Sequence, residues 1–206
     1  MEKLAFGGGC HWCTEGVFQA LRGVEKVDQG FVQSDAPADT WAEAVIVTFD
    51  PSVIKLVTLS EVHLRTHSAT RFRSPRSKYR SAIYIFEDCQ RHEAELAIAG
   101  FTDESGNPAH TVILPFRSFK ASDERYQNYY RSNPSRPFCR RFIDPKLDLI
   151  RRHFSEVALP EAHTWSEDSS LRRSALSSDR LRDARRVQLR EKANYLFESS
   201  GTSSSR

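Results

Sequence analysis

No apolar stretch of this sequence approaches the ~20 residues that a membrane-spanning helix needs. The first residues lack the basic-then-apolar order of a secretion signal, so the expected compartment is the cytoplasm. Cysteine is scarce: Cys10, Cys13, Cys89 and Cys139 are the whole set. In that compartment, four thiols point to catalysis, metal binding or burial rather than to a disulfide scaffold. No second paired set accompanies Cys10 and Cys13, which argues against a zinc site built with His63 and His67. The net charge is only +3. Basic residues still gather, first at Arg71, Arg73, Arg76, Lys78 and Arg80, then at Arg136, Arg140, Arg141, Arg151 and Arg152. No nucleic-acid motif accompanies them, so a solvated basic face is expected.

Leu, Val, Ile and Phe are spread over the first three quarters of the 206 residues. That predicts one domain over 1–158 and a charged, Ser-rich tail over 159–206, helical at 179–197 and otherwise disordered. Apolar periodicity predicts strands at 3–6, 24–32, 41–49, 81–86 and 110–114. It predicts helices at 10–21, 58–66, 88–101 and 122–130. The order β-α-β-β-α-β is that of a ferredoxin-like split βαβ, an α+β two-layer sandwich with added C-terminal helices.

Cys10 follows Gly7-Gly8-Gly9 at a strand-to-helix turn. Unpaired N–H groups and the helix dipole favour an anion there, and a thiol in such a place ionises more readily. Glycines without β-carbons let another group come close to the sulfur. The competing reading is a Gly-rich turn before a buried cysteine.

Three residues offer to complete thiol chemistry. Glu43 lies mid-strand, on the face of Val45, Val47 and Phe49 by alternation. A carboxylate among those residues is costly to ionise, so its pKa is expected to rise and it becomes a proton donor. The alternative is a half-exposed edge-strand glutamate. Tyr79 stands at a loop-to-strand junction, as a phenol pointing into a site or a core aromatic. Cys139 lies in a Pro-interrupted, Arg-flanked segment, which suits a mobile thiol that attacks an oxidised sulfur or an incidental loop cysteine. Cys10 and Cys13 also have C-x-x-C spacing, which makes Cys13 a candidate extra redox thiol.

At these residues the sequence resembles the peptide methionine sulfoxide reductase A family. Gly9-Cys10-His11-Trp12-Cys13-Thr14-Glu15 matches the family's Gly-Cys-Phe-Trp-x-x-Glu except at the Phe. Ala42-Glu43-Ala44-Val45 with Phe49-Asp50-Pro51, Tyr79-Arg80-Ser81-Ala82-Ile83, and Asn133-Pro134 through Phe138-Cys139 follow in the family's order. The resemblance implies that Cys10 attacks the sulfoxide sulfur, Glu43 protonates the oxygen and Tyr79 hydrogen-bonds it. Trp12 would hold the substrate methyl. Cys139 would then form a disulfide with Cys10, which thioredoxin or a small dithiol reduces. The resemblance implies no cofactor and no metal. A monomer without a specific nucleic-acid or membrane partner is expected.

The sequence departs from the family at several of these positions. His11 stands at the second aromatic of the methyl pocket. Phe31 stands at a second oxygen-binding tyrosine, so one hydroxyl is gone. Lys78 replaces a glutamine, and the loop before it is shorter. Two rival readings remain open at this stage: a disulfide oxidoreductase using Cys10 and Cys13, and a non-enzymatic paralogue.

Overall fold

The computed structural model describes residues 1–160; the helix expected over 179–197 and the Ser-rich stretches beside it lie outside them. The strands are β1 (Glu2–Gly7), β2 (Val24–Gln33), β3 (Ala42–Phe49), β4 (Ala82–Ile85), β5 (Val112–Pro115) and β6 (Ser118–Ala121). They form one sheet in the order β5-β4-β1-β3-β2-β6. Only the β4–β5 pair is parallel. The β-branched and aromatic residues of β3 suit its place inside the sheet, where both of its neighbours are paired.

β5 and β6 lie at opposite edges of this sheet, yet only Phe116 and Arg117 separate them in the chain. Two residues reach at most ~10 Å. The sheet is therefore curled until its edges approach. Phe116 N–H donates to Ile85 O and Arg117 N–H to Gln33 O, which ties the crossing segment to both sides. Ala5, Ala44 and Ala82 line the inside of the curl with Val32, Ile46 and Tyr84, and their small side chains let the sheet bend tightly.

The other face carries the helices and the main core. Leu4, Phe6, Val45, Val47, Phe49, Ile83 and Ile85 pack there against α1 (His11–Phe18), α2 (Leu56–Thr66) and α5 (Asp144–His153). α3 (Arg91–Ala99) packs on α2. The result is a mixed α/β fold.

Three local differences from expectation have physical causes. The helix expected over 10–21 ends at Phe18. Beyond it the chain pairs with residues 157–159: Arg22 N–H donates to Val157 O (2.7 Å) and Leu159 N–H to Ala20 O (2.9 Å). The helix expected over 122–130 splits into a 3₁₀ turn (Glu124–Tyr126) and a short α4 (Tyr129–Ser132). Asn128 between them is left-handed, with φ of 54°. Finally, β6, α5 and a π-helical turn (Cys139–Ile143) occupy stretches that periodicity left as loop.

Candidate active site

Cys10 is the N-cap of α1, with extended backbone (φ −68°, ψ 122°). Its carbonyl accepts the N–H groups of Cys13 (3.1 Å) and Thr14 (3.2 Å), which starts the helix. The preceding glycines serve different ends. A β-carbon on Gly8 would stand 2.7 Å from His67 Nε2, so this position must be bare for the imidazole to pack on the backbone. Gly9 meets nothing within 4 Å and leaves the approach to Cys10 open. A cleft of about 160 Å³ lies there, lined by Cys10, Cys13, His67, Arg73 and Lys146 among others. Lys146, on α5, also donates to Thr66 O. A larger groove of about 530 Å³ runs along β2 between Gln19 and Arg131; it is polar and holds none of the cysteines.

Glu43 is 1% exposed, on the helix-bearing face of β3 as alternation predicts. The expected alternative of an edge-strand glutamate does not apply, because β3 is interior. Its Oε2 accepts the first N–H of α1, from His11, at 3.2 Å. Its carboxyl therefore sits at the mouth of the helix, one residue from Cys10. Lys78 Nζ is 3.4 Å from Oε1. Glu43 N–H donates to Lys78 O (2.8 Å), which fixes Lys78, and Tyr79 after it, beside the strand. Lys78 Nζ also lies 5.0 Å from the centre of the half-buried Tyr79 ring.

His11 is buried, with Nδ1–H donating to Gly30 O at 2.9 Å. Its Nε2 lies 4.0 Å from Glu43 Oε2. Phe31 is directly opposite Glu43 in the β2–β3 register and meets the His11 ring edge-on at 5.3 Å. The fold thus gathers His11, Phe31, Glu43 and Lys78 at the helix start that Cys10 caps, with Tyr79 beside Lys78. Lys78 is the member that sequence reasoning left in a solvated basic face. Its replacement of the family glutamine was the available signal.

Trp12 lies deeper, 3% exposed. It stacks on Tyr129 at 4.2 Å and 5°, with Tyr126 at 5.9 Å and Phe138 edge-on at 5.5 Å. Arg136 covers the Tyr129 ring at 4.4 Å. Phe138 brings its neighbour Cys139 to this end of α1. Cys139 is fully buried in the π-helical turn, with Sγ–H donating to Asn133 O at 3.6 Å, rather than in the mobile segment the prolines suggested. Cys13 is also buried, one turn along from Cys10. All four cysteines are free thiols.

Two further groups support the site: Glu15, the last residue of the Gly9–Glu15 motif, and the pair His63 and His67. Glu15 is fully buried and accepts from Asn128 N–H (2.7 Å), Tyr129 N–H (2.9 Å) and Gln29 Nε2 (3.0 Å). Burial pushes its carboxyl above the ordinary range, and these donors offset part of that. His63 and His67 stack at 4.0 Å under Gly7 and Gly8. His63 Nε2–H donates to Gly7 O (2.9 Å), His67 Nδ1–H donates to His63 O (2.6 Å), and His67 Nε2 accepts from Ser81 Oγ (2.6 Å). Burial holds His63 well below its usual range and His67 down to about 4, so both are neutral. His63 Nε2 and both ring nitrogens of His67 are committed to the protein. Among the described residues no group of three or more His, Cys, Asp or Glu is placed to hold a metal ion, and no helix is long and apolar enough to cross a membrane.

Comparison with known proteins agrees with this geometry. The sequence pattern of the peptide methionine sulfoxide reductase family matches residues 2–158. Peptide methionine sulfoxide reductase MsrA of Deinococcus radiodurans is 34% identical over 171 residues, which is 75% of this chain and 83% of that protein. The MsrA of Sulfolobus acidocaldarius is 32% identical over 172 residues, 77% of this chain and 98% of that protein. Mxr1 from Saccharomyces cerevisiae, in an unusual oxidized form, superposes with a TM-score of 0.52 at 25% identity over 65% of this chain and 82% of that one. These likenesses favour sulfoxide reduction over disulfide exchange or a purely binding role. The chain belongs to the peptide methionine sulfoxide reductase family and reduces methionine sulfoxide through thiol chemistry.

Proposed function

We propose that Cys10 is the nucleophile for methionine S-sulfoxide, free or in proteins, and Glu43 the proton donor. The observation that carries this is the His11 N–H to Glu43 hydrogen bond, which holds a buried carboxyl at the helix start that Cys10 caps. The helix N-terminus and the Lys146 and Arg73 cations beside the cleft favour a thiolate. The Cys10 sulfur attacks the sulfoxide sulfur. The oxygen receives a proton from Glu43, with Tyr79 as hydrogen-bond donor, and passes to Cys10. Methionine leaves, reduced by two electrons, and Cys10 becomes a sulfenic acid. Trp12 and His11 border the methyl, with Phe31 beside them. Cys139 then condenses with the sulfenic acid, releasing water and forming a disulfide. Thioredoxin or a small dithiol restores both thiols, with no cofactor, in a reducing cytoplasm.

We read residues 1–158 as a monomeric catalytic unit, and the β4-β1-β3-β2 order within its sheet as a ferredoxin-like core. The segment 157–159, paired to the end of α1, supports that boundary.

The test is methionine released per enzyme without reductant. Cys10→Ser should release none. Cys139→Ser, Cys13→Ser and Cys89→Ser should each release about one equivalent. After one turnover of the unmodified chain, mass spectrometry should find Cys10 joined to Cys139. Methionine from Cys10→Ser would sink the assignment, and a Cys10–Cys13 bridge would move the resolving role to Cys13.

A further inference from the structure

We propose that Lys78 is a catalytic residue that binds the sulfoxide oxygen, taking over the duty of the hydroxyl missing at Phe31. The inference rests on the reading of Cys10 and Glu43 above. Phe31 faces Glu43 across the β2–β3 register and carries no donor. Lys78 approaches the same carboxyl from the other side, with Nζ 3.4 Å from Oε1. An ammonium so close to the proton donor is within reach of the oxygen that takes the proton.

The placement of Lys78 is built rather than incidental. Its carbonyl is tied to Glu43 N–H at 2.8 Å, and its ammonium sits 5.0 Å from the Tyr79 ring centre. An ordinary surface ion pair joins two solvated groups and is worth little. Here a side chain 35% exposed reaches in to a carboxyl 1% exposed. An ammonium has three N–H donors. One serves Glu43 and others are available to a bound oxygen. The neutral amide that the family carries at this position cannot supply a full positive charge.

The chemistry gives that charge a purpose. As Cys10 attacks, the electron pair of the sulfur–oxygen bond moves onto oxygen. Negative charge grows there before the proton arrives. A fixed cation lowers the energy of that charge in the transition state more than in the bound sulfoxide, which is what raises a rate. A phenol would do the same by hydrogen bonding. Lys78 and a tyrosine at position 31 are therefore alternatives.

That equivalence supplies the test. Single-turnover release of methionine, without reductant, is measured for the unmodified chain, Lys78→Met, Phe31→Tyr, and the double variant. Lys78→Met should be slower by about ten- to a hundredfold, the range for one transition-state hydrogen bond. Phe31→Tyr alone gives the reference for the added hydroxyl. In the double variant it should restore most of what Lys78→Met lost. The rate of Cys10 alkylation by iodoacetamide and the melting temperature of each variant show whether thiol and fold are intact. A Lys78→Met variant as fast as the unmodified chain overturns the inference. So does a slow, folded Lys78→Met that Phe31→Tyr fails to restore. If the unmodified chain releases no methionine, or Cys10→Ser releases it, the reading of the site has failed first, and the inference falls with it.

Discussion

Glu43, the proposed proton donor, shows what one side chain needs in order to act from inside a protein. A carboxyl 1% exposed has lost its water, which opposes its charged form. The His11 N–H and the Lys78 ammonium work the other way, one on each oxygen. These contacts hold the carboxyl at the start of α1, where the proposed proton transfer takes place. Replacing it separates these roles. Glu43→Gln keeps the shape and a donor amide but has no proton to give, so single-turnover rates should fall toward the mild end of the ~10²–10⁴ range for a lost general acid. Glu43→Ala should fall toward the severe end, since it also removes the acceptor for His11 N–H. Rates for both within about twofold of the unmodified chain would show that another group protonates the oxygen.

α1 is capped by Cys10, the proposed nucleophile, and Glu15 within it ties the helix to the rest of the fold. Glu15 points away from the chemistry and draws the start of α4 and Gln29 of β2 onto the helix. It also explains why the helix expected over 122–130 breaks, because the N–H groups of Asn128 and Tyr129 have turned to a carboxylate. Glu15→Gln would present an NH₂ to at least one of these donors. Hydrogen bonds to a charged group contribute about 1.5–3 kcal/mol. The variant should therefore melt several degrees lower in calorimetry, and unchanged melting would show that the hub is dispensable.

How much was legible in the sequence divides along the same line. Strands β1 to β4 and helices α1 to α3 follow local periodicity, and so were readable. Glu43 was placed on its correct face because strand alternation is strict. β6 was missed because it is a short edge strand whose residues are mostly exposed. α5 was missed although Pro145 in its first turn and Arg151, Arg152 and His153 in its last are ordinary helix signals. Lys78 and Glu15 were invisible as partners because each acts on a residue more than thirty positions away.

At the scale of the whole molecule, the stacked His63 and His67 link stability to pH. Both are neutral in the fold, His67 down to about pH 4, whereas an unfolded imidazole protonates near 6.5. As pH falls below about 6.5 the unfolded chain takes up protons that the native chain does not. Stability therefore declines with acidification from about 6.5; the part owed to His67 levels off near pH 4, and His63 adds to the decline in the same direction. For His67 alone the loss is on the order of 3 kcal/mol. The denaturation midpoint should drop across that window, and His67→Gln should make the slope shallower even if it lowers the plateau. An equal slope in the variant would place the acid sensitivity elsewhere.

The full burial of Cys139 reaches beyond packing, into the order of events in time. A thiol sealed in a helical turn cannot meet an oxidised partner until that turn opens. In the resolving role proposed for Cys139, the wait after each repair is then set by how often residues 133–143 loosen. During that interval the proposed cycle makes the enzyme itself the damaged molecule, holding on the half-buried sulfur of Cys10 the oxygen it has just removed from another.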